Sequence, residues 1–455
     1  MHKTAKLFLM FVLTGFTGHA QPAQDPAPGP PSVPVIDLKD ALRRARDFSP
    51  QLKAATVNAA IAHQNRLQAR AGRLPTVNAL SQFVYTQGNG TPSGVFIAND
   101  GVHVYNEQAV VRENLLSLIR SGQTRQAQAA EAVALAQEVI ASRGLVFTVV
   151  QSYYNLLAAQ REIANAANSL DEAKQFLDIA QKQEFAGEVS HVDVVKAQLQ
   201  FEQRSRDLDA AKLRSDEARL AFAVLLFADF DQTFTVVDDL ATLPSLSLLD
   251  DLQGLAGQKS PEIQSARASA REAKSAVTVA RYAYLPSLAL TFYYGIDANQ
   301  FAARAGYPTA GVNRSTLPNF QVPHRQNLGF AGDITLDIPV WNWGATRSRI
   351  RQAEYRQTLA QVNVRFAERQ LQANLRSLFR QAEVALSEVA SLRRSLDYSA
   401  ENRRLTLLRY EAGESNALEV VTAQDIVALA RRAHDDGLSR YHIALANLQT
   451  LTGRL

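Results

Sequence analysis

Residues 371–396 read LQANLRSLFRQAEVALSEVASLRRSL, and this stretch decides the fold. Leu371, Leu375, Leu378, Ala382, Ala385, Val389, Leu392 and Leu396 follow one another in alternating steps of four and three. A 3.5-residue apolar repeat sustained this long marks the seam of a left-handed coiled coil. The helical pattern runs from Gly344 to Ala412. At 1.5 Å per residue such a helix extends about 100 Å. That length suits a rod or a tube, not a compact domain. A weaker copy of the seam lies upstream in Val149, Tyr153, Leu156, Ile163, Ala167, Leu170 and Leu177, interrupted by Gln160 and Lys174.

The second seam follows from a duplication. Ser49-Pro50 recurs as Ser260-Pro261 and Leu74-Pro75 as Leu285-Pro286, both at an offset of 211. Gly122 matches Gly344 at an offset of 222. Ala186-Gly187-Glu188 matches Ala412-Gly413-Glu414, and Asp193-Val194-Val195-x-Ala197-Gln198 matches Glu419-Val420-Val421-x-Ala423-Gln424, at 226. Offsets that hold within motifs and change between them are what a structural repeat produces. Residues 35–228 form the first repeat and 259–455 the second, joined by 229–258. Each repeat opens with a helical stretch (37–73 and 248–284) broken at Leu-Pro. Two short alternating segments follow, then the long helix, a glycine tip and a return helix.

At the tips, Gly187 and Gly413 stand where left-handed caps end a helix. Ser190 and Asn416 stand where the next helix begins, and Asp193 and Glu419 complete a capping-box spacing three residues on.

The short segments alternate with period two, the mark of half-exposed strands. Leu288, Leu290, Phe292, Tyr294 and Ile296 oppose Ser287, Ala289, Thr291 and Tyr293. Leu328, Phe330, Ile334, Leu336 and Ile338 oppose Asn327, Gly329, Ala331, Asp333, Thr335 and Asp337. In the first repeat Val77, Ala79, Phe83 and Tyr85 keep the same parity. The segment Val104 to Leu115 carries Glu107, Arg112 and Glu113 and shows no clean apolar face. Segments of roughly ten residues have the length of membrane-spanning strands. Four strands cannot close a barrel, and an open edge is not tolerated in lipid. Strands that span therefore require several copies: two would make a filled barrel of eight, and three a barrel of twelve with a lumen.

The N-terminus reads as a secretory signal peptide over residues 1–20. Lys3 and Lys6 precede the apolar run Leu7 to Phe16, and Gly18-His19-Ala20 forms a cleavage site. Residues 21–34 read as a Pro-rich linker. No later stretch looks free enough of charge to be a transmembrane helix. The 48 Lys and Arg against 44 Asp and Glu leave no clustered basic surplus, which argues against a nucleic-acid partner. Cysteine is absent and the two methionines, Met1 and Met10, lie in the signal peptide. Disulfides, thiolate metal sites and a lipid anchor on cysteine are excluded. His63, His103, His191, His324, His434 and His442 show no ligand spacing, and no phosphate loop or nucleophile motif occurs. The chain is expected to hold no catalytic residue, metal or cofactor.

With these features in place the chain resembles the TolC-type outer-membrane efflux proteins over nearly its whole mature length. The resemblance rests on the duplicated helix–strand–strand–helix order and on Leu-Pro ahead of the first and third strands. It rests also on Ile338-Pro339-Val340-Trp341-Asn342-Trp343-Gly344 after the last strand, and on the tips Phe185-Ala186-Gly187 and Tyr410-Glu411-Ala412-Gly413. It implies a mainly α fold with a small β part: a homotrimer with one 12-stranded barrel in the outer membrane and a coiled-coil tunnel across the periplasm. A periplasmic adaptor (membrane fusion) protein and an inner-membrane transporter are the implied partners.

By family position, Asp193, Tyr410, Ser415 and Glu419 belong to the periplasmic constriction. Gly187, Glu188, Val189, Gly413, Glu414 and Ser415 belong to the adaptor contact. Ser415 stands where the family has an arginine that latches onto the tip tyrosine and aspartate. Asp193 and Glu419 also fit plain capping acids, and Tyr410 a packing aromatic. Trp341 and Trp343 fit an interfacial aromatic belt. Leu288, Leu290, Phe292, Leu328, Phe330, Ile334 and Leu336 are expected to face lipid. The rival readings are a periplasmic coiled-coil scaffold or adaptor, which leaves the apolar strands unexplained, and a secreted pore-forming toxin, which leaves the duplication unexplained.

Overall fold

The computed structural model describes residues 34–85, 103–299 and 328–453. The signal peptide, all but the last residue of the linker, His324 and Asn327 lie outside the described residues. Helices α1 (Leu38–Phe48) and α2 (Pro50–Ala71) lead into strand β2 (Thr76–Tyr85). They recur as α5 (Leu249–Lys259), α6 (Pro261–Tyr282) and β5 (Ser287–Asn299) at the offset of 211. The Ser-Pro pairs set these boundaries. Ser49 Oγ accepts from Leu52 N at 3.2 Å and Ser260 Oγ from Ile263 N at 3.3 Å, while each proline takes the first helical position, where no N–H is needed. Short strands β1 (Val35–Ile36) and β4 (Thr235–Val236) pair in parallel and tie the N-terminus to the segment between repeats.

Strands β3 (His103–Leu116) and β6 (Leu328–Asp337) precede the long helices α3 (Leu118–Phe185) and α7 (Ala345–Glu411). Return helices α4 (His191–Leu226) and α8 (Ala417–Thr452) follow. The match of Gly122 to Gly344 does not survive. Gly122 lies inside α3, where an added Cβ would come within 2.7 Å of Val279, whereas Gly344 is the left-handed residue ahead of α7. One glycine permits two helices to approach and the other permits a turn, so their coincidence in sequence carries no structural equivalence.

The four long strands form one antiparallel sheet in the order β2-β3-β5-β6. Leu288 pairs with Leu336, Leu290 with Ile334, Tyr294 with Phe330 and Ile296 with Leu328, which gathers the apolar residues of β5 and β6 on one face. Register assigns the faces of β3 that its own sequence leaves open. Val111 and Ala109 pair with Val77 and Ala79 on one side and with Phe292 and Tyr294 on the other, so they join the apolar face. Arg112 falls on the opposite, polar face with Thr76 and Thr291. Glu107 shares the apolar face, where Ser81 Oγ donates to it at 2.5 Å. None of the described residues covers this face: Phe330 is 78% exposed, and Leu328, Ile334 and Leu336 are exposed beside it. Trp341 and Trp343 stand edge to face, 5.8 Å apart, just past the end of β6, and are exposed as well.

The helices lie in rows. Toward the tips the order of contact is α4, α3, α8, α7; toward the sheet it is α2, α3, α6, α7. Leu371, Leu375, Ala382, Ala385 and Val389 of the quoted seam are buried. In α3, Val149, Tyr153, Leu156 and Leu177 of the expected seam are buried, but the template drifts: Ala167 is exposed, while Ser169, Ala173, Phe176 and Ala180 are buried. A straight helix turns about 20° per heptad away from a strict 3.5 repeat, so the buried stripe leaves the template after a few turns. The expectation that no stretch resembles a membrane helix is also corrected. One stretch of α3 is long and apolar enough by composition, with 22% of it buried inside the chain. Its small apolar residues serve a helix that packs on α2 and α6.

The largest buried cluster joins Ile36, Val149, Tyr153, Leu156, Phe222, Leu226, Tyr441 and Leu445 midway along the rods. His442 lies beside it, 5% exposed, stacked on Tyr154 at 4.5 Å, with Nε2 3.1 Å from the Leu240 carbonyl oxygen. Burial pulls its pKa below the usual histidine value, more than the bond to Leu240 and the charge of Asp239 restore it. The unfolded chain therefore binds the extra proton first, and stability falls as pH drops below about 6.5. Thermal melts at pH 7.5 and pH 5 should show this loss, and His442→Phe should lose less between the two. An equal loss in both proteins would place the acid sensitivity elsewhere.

Candidate functional site

Both hairpins turn over in a few residues at the end farthest from the sheet. In the first, Glu188 N bonds Gln183 O at 2.8 Å and Gly187 N bonds Glu184 O at 2.9 Å. The second repeats this with Glu414 N to Arg409 O at 2.8 Å and Gly413 N to Tyr410 O at 3.0 Å. These paired bonds satisfy the last carbonyls of α3 and α7, and they require a left-handed residue after the cap. Gly187 has φ 74 and Gly413 φ 75.

The restarts differ. Asn416 Oδ1 accepts from Glu419 N at 3.1 Å and caps α8. Ser190 does not cap α4 with its side chain; its hydroxyl donates to Asp193 Oδ2 at 3.1 Å. Asp193 also pairs with Lys196 Nζ at 3.2 Å, one turn further along α4. Glu419 accepts from Ser415 Oγ at 2.7 Å and from Asn416 Nδ2 at 3.3 Å, and Arg409 Nη1 lies 3.7 Å away. Arg409 Nη2 donates to Glu414 O at 3.1 Å, spanning the turn from α7. With serine at 415, a cation thus reaches this tip from the preceding helix.

Tyr410 is 1% exposed. It packs edge-on against Phe176 at 5.1 Å, in a cluster with Leu177, Ala180, Val194, Ala197, Ala417 and Val420 that unites all four long helices. Its hydroxyl has no partner among the described residues. Burial raises its pKa, and the nearby Asp193 charge raises it further, so the structure brings these two residues together. Val189 packs against the same cluster, while Gly187, Glu188, Gly413 and Glu414 are exposed and Ser415 is half-buried.

The two tips are less alike than their motifs. At the offset of 226, Glu184 answers Tyr410 and Phe185 answers Glu411. Glu184 pairs with His191 Nδ1 at 2.7 Å, and Phe185 is 96% exposed. Moving an aromatic one position along a helix swings it about 100° around the axis, which carries it from the core to the surface. Sequence reading passed over Lys196, Arg409 and Phe176. The spacing of Asp193 and Lys196 is a local helical signal. Arg409 and Glu419 straddle a turn, and no linear pattern announces them.

The family model described as Outer membrane efflux protein matches residues 252–454. The cobalt-zinc-cadmium resistance protein CzcC of Cupriavidus metallidurans is 25% identical over 309 residues, 67% of each chain. The outer membrane protein TolC of Vibrio cholerae is 20% identical over 434 residues, 92% of this chain and 91% of that one. The solved CmeC outer membrane channel of Campylobacter jejuni superposes with a TM-score of 0.76 at 16% identity, covering 92% of this chain and 85% of that one. That likeness establishes the fold.

Proposed function

We propose, from the premise that this chain is an outer membrane efflux protein of the TolC type, that three copies join their four-stranded sheets into one 12-stranded barrel. The barrel crosses the outer membrane and the helical rows form a tunnel through the periplasm. The observation that carries this reading is an apolar sheet face left open by the described residues, among which the edge strands β2 and β6 have no outer partner. The helices support it. Row-end helix α4 exposes Val192, Val195, Leu199, Leu213, Leu220 and Val224, and α7 exposes Leu359, Val362, Phe366, Val384 and Leu405. Apolar stripes at both ends of a row are what copies packed side by side would bury. Repeats 35–228 and 259–455 then alternate around the tube.

The duct does no chemistry. An inner-membrane transporter supplies the energy, and an adaptor opens the narrow end, where Asp193, Tyr410, Ser415 and Glu419 lie. Outer-membrane lipid contacts Leu288, Leu290, Phe292, Leu328, Phe330, Ile334 and Leu336. A periplasmic scaffold would have no use for that face. Heat-modifiable trimers in the outer-membrane fraction are the expected result, and a periplasmic monomer would sink the proposal.

The adaptor would dock on Gly187, Glu188, Val189, Gly413, Glu414 and Ser415. Gly187→Val with Gly413→Val should test this, because a branched side chain in the left-handed region costs about 1–2 kcal/mol and displaces the turn. An added Cβ meets nothing within 4 Å at either site, so the effect is confined to the backbone. Trimers should form, while the adaptor no longer co-purifies. Undiminished co-purification would remove the tips from that interface.

A further inference from the structure

We infer that Lys196 and Arg409 set the ion selectivity of the narrow end by masking Asp193 and Glu419. The inference rests on the reading of the tips as the mouth of a pore. Duplication places the two acids at equivalent positions, but each has a counter-ion of different origin. Lys196 comes from the helix that carries Asp193, and Arg409 from the helix before the turn. The equivalents of these cations in the other repeat are Thr422 and Gln183, which carry no charge. The two tips thus reach the same balance by separate routes.

Geometry makes the second mask a fixed one. Arg409 is anchored on the Glu414 carbonyl, and Glu419 is held by Ser415 and Asn416, so acid and guanidinium stay side by side. An acid with a cation 3.2 or 3.7 Å away presents a dipole instead of a net charge. The field of a dipole falls off much faster than that of a charge, and a permeating ion is steered by the net charge of a ring. The Arg409–Glu419 pair is exposed, and such pairs add little stability; the half-buried Asp193 keeps its bond from Ser190 when Lys196 is removed. Removing either cation therefore alters the field while the tip stays folded.

The test uses full-length protein in planar bilayers under a potassium chloride gradient, read as the reversal potential. Lys196→Gln and Arg409→Gln should each raise the cation-to-anion permeability ratio by about twofold, and the double variant by more, because each unmasks three negative charges in one ring. Asp193→Asn should move it toward anions, since it leaves Lys196 unmatched. Trimer recovery in detergent checks that the variants assemble. Wild-type selectivity in both glutamine variants, or a shift toward anions, would overturn the inference and leave the pore reading standing. A trimer that inserts and passes no current, even with Tyr410→Ala, would end both.

Discussion

Phe330→Arg is expected to abolish recovery of trimers from the outer membrane. Phe330 is 78% exposed at the middle of the uncovered face, opposite Tyr294 and near Leu328 and Ile334. A lipid-facing cation near the midplane costs about 2–4 kcal/mol, and three copies would carry it. The total approaches the 5–15 kcal/mol typical of a whole folded domain. Thr335→Arg is the matched control. Thr335 pairs with Ala289 on the other face of the same sheet, so its arginine would point into the lumen and should be tolerated. Comparing the two separates loss of insertion from general disruption of the strand. Equal recovery of both variants would mean that the Phe330 face does not meet lipid.

Tyr410→Ala should have the next largest effect, as a rise in single-channel conductance. Deleting a buried aromatic ring typically costs about 3–5 kcal/mol, and here the void would open where α3, α4, α7 and α8 meet. The mid-rod cluster shares no residue with the tip cluster, so the loss should loosen the tip before it unfolds the chain. Tyr410→Phe should behave like the wild type or close more firmly, because the hydroxyl it removes is buried without a partner among the described residues. This pair of variants asks whether packing or a hydrogen-bonded latch holds the tip. Opening by Tyr410→Phe to the level of Tyr410→Ala would favour the latch.

Much of the architecture was legible because it depends on neighbours along the chain. The steps of four and three from Leu371 to Leu396 specify a long helix with one buried side. Ser-Pro starts a helix and Leu-Pro ends one, and glycine before Glu188 and Glu414 marks a turn, each through backbone geometry that a few residues dictate. Period-two alternation in β5 and β6 likewise needs no knowledge of the partner strand. The Ser-Pro, Leu-Pro and Gly-Glu signals also appear twice, which made the duplication visible.

Tertiary structure alone decided where distant residues meet. The acids and the arginine of β3 received their faces only from pairing with β2 and β5. The buried stripe of α3 followed the drift of a real helix between α4 and α8 instead of an ideal heptad. Tyr410 and Phe185 ended one inside and one outside because burial depends on which neighbours surround a helix face, and a one-residue step changes that face. Arg409 found Glu419 across a turn, and Glu419 lay in reach only once the turn had folded. Periodicity records how a segment relates to its own axis, whereas charge pairing and burial are set by contacts between segments, which no single segment encodes.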